Sequence, residues 1–126
     1  MKEKYRLFSG TGTEVGEQEL RYMFNISRDF NFWKNYFREI KKTNNNYHSV
    51  KPFMTTDIKS GKIVGYELQV SFTGQDKTYR TLKYLFDENK HFIKAVDKNG
   101  DLFMEKEEAF KHQVDMWIEN KVLIAA

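Results

Sequence analysis

Two hydrophobic periods divide the chain. In "SRDFNFWKNYFREIKK" the apolar residues Phe30, Trp33, Phe37 and Ile40 recur at intervals of three and four, the spacing of one face of an amphipathic helix. The pattern predicts a helix over 28–43, capped by Ser27, with Asp29 in its first turn and Lys41 and Lys42 complementing the negative end of its dipole. A shorter helical turn, "EQELRYMF", carries Leu20, Met23 and Phe24 on one side and runs toward the long helix near Asn25.

Beyond the polar run "TNNNY", which reads as a turn, the period changes to two. In "IVGYELQVSF" Val64, Tyr66, Leu68, Val70 and Phe72 alternate with Gly65, Glu67, Gln69 and Ser71, as in a half-buried antiparallel strand. "VKPFMTTDI" before it and "TYRTLKYLF" after it are joined to it through "KSGK" and "TGQDK", both short enough for hairpins. "HFIKAV" and "DLFME" flank "DKNGD", whose Asn99-Gly100 pair is a strong hairpin signal because both residues tolerate positive φ. The chain then returns to helical spacing in "KEEAFKHQVDMWIENK", with Phe110, Val114, Trp117 and Ile118 as its stripe.

These elements define an α+β domain. A long N-terminal helix and a C-terminal helix pack on a curved antiparallel sheet of four to five strands, a hairpin meander, within a single globular domain over 1–126. In outline only, this arrangement resembles cystatin-like and NTF2-like domains, and outline does not transfer function.

Composition narrows the chemistry. The chain of 126 residues has no cysteine, which excludes disulfides, thiolate zinc sites and cysteine nucleophiles and suits a reducing, cytoplasmic compartment. The start "MKEKYRLFSG" lacks an apolar leader segment, and no stretch is long and apolar enough for a membrane span. The net charge of +3 is asymmetric: residues 1–62 hold twelve Lys/Arg against seven Asp/Glu, and 63–126 hold nine against eleven.

Several motifs resolve into structural roles. After "KYRLF", a strand, Gly10, Gly12 and Gly16 are spaced one residue too widely for a dinucleotide loop, and Glu14, Glu17 and Glu19 would repel a phosphate, so a turn and helix cap is the reading. "DKNGDLFMEKEE" has Leu102 where a calcium loop requires glycine. His48, His91 and His112 are expected in a loop, at a strand start and on a helix, without metal-ligand spacing, and His112 with Asp115 reads as a surface pair. No metal and no cofactor are expected.

The surface features that remain lie on the long helix. Lys34, Arg38 and Lys42 form an i, i+4, i+8 ridge, joined by Lys41 and by Arg28 near the helix start. Six aromatics between Phe24 and Phe37 exceed what one stripe can bury, leaving Phe32 and Tyr36 on another flank as anchors. The function expected is that of a small non-enzymatic binding protein. Its partner is an acidic protein surface, and the Lys- and Asn-rich composition suits a bacterial or phage inhibitor or accessory factor. One alternative is nucleic-acid binding by the same ridge with the exposed aromatics. Another is a small-molecule pocket, enzymatic or not, lined by Trp33, Tyr66 and Tyr84 between helix and sheet. A homodimer through the tail "VLIAA" or an edge strand is a further expectation.

Overall fold

The computed structural model describes residues 5–7 and 14–125, the last by its backbone alone. In chain order the elements are β1 (Tyr5–Leu7), β2 (Glu14–Val15), α1 (Glu17–Ser27), α2 (Phe30–Thr43), β3 (Tyr47–Thr56) and β4 (Ile63–Thr73). There follow β5 (Tyr79–Phe86), β6 (Phe92–Asp97), β7 (Leu102–Glu105), α3 (Lys106–Glu119) and β8 (Leu123–Ala125). They form an α+β fold with three helices, an antiparallel sheet ordered β3-β4-β5-β6-β7 and a small sheet ordered β2-β1-β8. The chain divides into two compact units, one of residues 1–27 with 107–126 and one of residues 28–106.

In the first unit, Tyr5 lies opposite both Val15 and Ala125, and Leu7 opposite Leu123. Tyr5, Val15 and Leu123 are buried. Leu123–Ala125 of the tail thus supply a strand beside β1, with Leu123 buried and Ile124 exposed. Gly16 caps α1: its amide donates to Glu19 Oε2 at 3.1 Å and its carbonyl accepts from Leu20. This is one half of a capping box, with the carboxylate three residues on reaching back to the cap amide. The other glycines of that motif, Gly10 and Gly12, lie outside the described residues.

α1 meets α3 through Phe24 and Phe110, edge to face at 5.8 Å. Arg21 stacks over Phe110 and reaches the carboxylates of Glu17 and Glu107. The α3 stripe is rotated from its expected position: Ala109, Phe110, Gln113 and Val114 are buried, whereas Ile118 is 38% exposed. α3 ends in a Schellman motif, with Val122 N donating to Trp117 O, Lys121 N to Ile118 O, and Lys121 at φ 60°.

The second unit is a meander with α2 laid on it; likeness to cystatin-like and NTF2-like domains goes no further than that outline. Asp29, not Ser27, caps α2. Its carboxylate accepts from Phe32 N at 2.9 Å, while Ser27 closes α1 and turns its hydroxyl to Phe24 O. At the other end Asn44 N bonds Ile40 O, and Asn44 Oδ1 accepts from Asn46 N, so the asparagine run makes the turn its composition suggests. Lys41 and Lys42 stand in the last turn.

On the sheet, Leu68 and Val70 of β4 face α2 with their cross-strand partners Tyr84 and Leu82. Complete burial of side chains such as Leu68, Phe86 and Phe92 contributes about 1.5–3 kcal/mol each. Val64 departs from its expected place. The β5 ladder begins only at Tyr66, so the β4 end runs past its neighbour and Val64 is 52% exposed. Pro52, which cannot donate a ladder hydrogen bond, sits on the edge strand β3.

Candidate functional site

α2 presents three faces. Phe30, Trp33 and Phe37 are buried in a cluster of rings: Phe30 lies 5.0 Å from Tyr66, Trp33 5.4 Å from Tyr84 and 5.9 Å from Phe92, and Phe37 5.0 Å from Tyr84. Trp33 and Tyr84, expected to line a pocket, are 8% and 5% exposed and in ring contact, so they occupy the helix–sheet space themselves. Tyr66 is half-buried beneath Phe30, with Lys90 Nζ 5.5 Å from its ring. Burial pushes the Tyr84 hydroxyl well above the usual tyrosine value, and the neighbouring Tyr47 and Tyr36 add to the shift.

The second face is aromatic. Phe32 and Tyr36 stack at 5.9 Å with 16° between their planes, and the Arg28 guanidinium lies 4.3 Å over Phe32 and 5.5 Å from Trp33. Arg28 is therefore part of this stack and not of the cationic ridge. Partial burial lowers its pKa, yet a guanidinium remains charged across the physiological range. Tyr36 is 45% exposed. It borders an open trough of about 520 Å³ along α2, shared with Phe32, Asn35, Glu39, Ile40 and Thr43.

The third face holds the ridge, and its members differ. Arg38 and Lys41 are exposed, Lys34 is half-buried with its Nζ 5.5 Å from the Phe30 ring, and Lys42 bonds Glu39 at 2.9 Å. With about 100° between successive helical residues, Lys34, Arg38 and Lys42 centre about 140° around the helix from Phe32 and Tyr36. The two groups flank the outward line of α2, where Asn35 is exposed. The structure thus joins Arg28, Phe32 and Tyr36 in one patch and places Lys34, Arg38, Lys41 and Lys42 across the helix from it.

Away from α2, His48 lies within β3, not in a loop, and its Nε2 is 2.6 Å from Thr73 Oγ1. Its ring stacks on Tyr79 at 5.6 Å. A hydroxyl beside an imidazole is half of a nucleophile–base arrangement, but activation also calls for a third group that orients the base. The Asp97 carboxylate of the former calcium-loop motif accepts the Asn99 and Asp101 amides and serves its own hairpin. Among the described residues no three His, Asp or Glu side chains are placed to hold a metal ion, and no helix is long and apolar enough to cross a membrane.

Asn35, Glu39 and Thr43 complete the trough unannounced by any motif, while Ile40, expected on the buried stripe, is only half-buried and lines the trough from the edge of that stripe. No protein-family model, curated protein sequence or solved structure matches the chain.

Proposed function

We propose that the chain is a non-enzymatic binding module that presents the outward half of α2 to an acidic groove on a protein partner. The observation that carries this reading is the Arg28–Phe32–Tyr36 stack on one flank of α2, half-buried at Arg28 and Phe32 and exposed at Tyr36. Rings held in place by one another lose little freedom on binding, and Tyr and Arg are enriched among residues that dominate interface energetics. The ridge supplies the charge complement. A partner that receives α2 as a helix in a groove reaches both flanks at once, with the exposed Asn35 near the apex. A role as inhibitor or accessory factor in the cytoplasm of a bacterial or phage system is supported by the cysteine-free, Lys- and Asn-rich composition.

Two variants test the reading: Arg38→Glu/Lys41→Glu on the ridge and Phe32→Ala/Tyr36→Ala on the stack, each checked for folding by circular dichroism. Tagged protein is expected to retain a stoichiometric protein from lysate after nuclease treatment, and each variant to weaken that capture about tenfold or more. Equal capture by both variants and the parent would overturn the assignment. Captured material that disappears with nuclease would move the same surface to nucleic-acid binding.

A further inference from the structure

A second concavity lies at the end of the large sheet, between the β4–β5 turn and the β6–β7 turn. Its volume is about 360 Å³, within the range of small-molecule sites. Phe72 and Leu82 line it from β4 and β5, and Phe103 adds aromatic surface. Phe72 stacks on Tyr47 at 5.4 Å, and Leu82 is buried, so these two positions are held by packing. Phe72 and Arg80 are direct cross-strand partners, as are Leu82 and Asp97, which puts these four on the sheet face that carries Val70.

The charges around this cleft are unequal. Arg80 and Lys98 both line it, and Asp97 is the sole carboxylate among its lining residues. Asp97 Oδ1 is already engaged by two amides of its own turn, Asn99 N at 2.8 Å and Asp101 N at 2.9 Å. Arg80 is held from outside the cleft by Asp76, at 2.6 Å, in an exposed pair. Asp76 is anchored in turn by the Thr78 amide. We propose that this cleft binds a small aromatic anion, a planar ring with a carboxylate, sulfonate or phosphate. The ring would lie among Phe72, Leu82 and Phe103, and the acid would take Lys98 and compete with Asp76 for Arg80. A forked guanidinium suits a planar or tetrahedral oxyanion, and rings of the ligand gain by stacking on the cleft aromatics.

The site is independent of α2, so its failure leaves the proposed function untouched, and the reverse holds as well. The test uses anilinonaphthalene sulfonate, a fluorescent aromatic anion, beside N-phenylnaphthylamine, which has the same rings and no sulfonate. Saturable binding of the anion is expected, with amide shifts in heteronuclear NMR centred on Phe72, Arg80, Leu82, Lys98 and Phe103. The neutral analogue should bind at least about tenfold more weakly, and Lys98→Glu or Phe103→Ala should each cost about tenfold. Asp76→Asn keeps an oxygen for the Thr78 amide while releasing Arg80, and should tighten binding severalfold. A spectrum otherwise like the parent's confirms that each variant is folded. The proposal is overturned by any of four results: no saturation in the millimolar range, shifts centred elsewhere, equal binding of the neutral analogue, or affinity indifferent to Lys98→Glu and Asp76→Asn.

Discussion

Tyr84 shows how far burial alters one group. It is 5% exposed among the rings of Trp33, Phe37 and Phe92, where a phenolate would be poorly solvated, so its hydroxyl is raised by desolvation first and by Tyr47 and Tyr36 second. The unfolded chain releases this proton near pH 10, the ordinary tyrosine value, and the folded chain holds it to higher pH. Folding stability linked to Tyr84 is therefore complete below about pH 10 and falls as pH rises above it, because the unfolded state then binds fewer protons. Denaturant midpoints measured from about pH 9 to pH 11.5 should fall more steeply for the parent than for Tyr84→Phe. Parallel curves would show that the hydroxyl is not held in this way. Asp29 is a second residue with a specific local role: it stands three residues before the Phe32 amide, the N-cap spacing, whereas Ser27 stands two residues further back and spends its hydroxyl on Phe24 O.

At the scale of elements, one hairpin device recurs. In the loops 74–78, 87–91 and 97–101, a four-residue turn closes on a residue of positive φ, Lys77, Lys90 and Gly100 respectively. This is a type I turn followed by a bulge, and at the last loop, where both residues of the Asn99-Gly100 pair could tolerate positive φ, only Gly100 takes it. Lys121 adopts the same left-handed conformation at the end of α3. A side chain there meets a steric penalty that glycine avoids. Lys121→Gly should raise unfolding stability by about 1 kcal/mol, and Gly100→Ala should lower it by a similar amount. Equilibrium denaturation measures both, and no gain at Lys121 would mean that its backbone is not held in the Schellman geometry. The helix pattern in α2 was legible because 3.6-residue periodicity is local. The stripe of α3 was misplaced by part of a turn, since Gln113 counts as polar in a pattern but is buried in the fold.

For the whole molecule, charge follows the two units. Residues 28–106 hold fifteen Lys/Arg against ten Asp/Glu, and the remainder six against eight. The cationic excess thus belongs to the unit that carries α2, and it should steer an acidic partner toward that helix. Once a partner is in hand, its association rate should fall as ionic strength rises, with dissociation much less affected. Rates from surface plasmon resonance at two salt concentrations check this, and an association rate indifferent to salt would remove charge steering from the proposed function.

The sequence by itself determined the α+β class, the hairpin order of the large sheet, the C-terminal end of α2 and the split between its apolar and cationic faces. Each of these follows from helical or alternating periods and turn residues, which act over a few positions. Only the structure decided that Arg28 stacks on Phe32 and that Trp33 and Tyr84 fill one another's space. It also decided that β8 completes a small sheet with β1, and that Phe72, Arg80, Lys98 and Phe103 share one cleft. The small sheet and the cleft join residues far apart in the chain, and all of these contacts depend on side-chain packing and strand register, which short-range patterning leaves open.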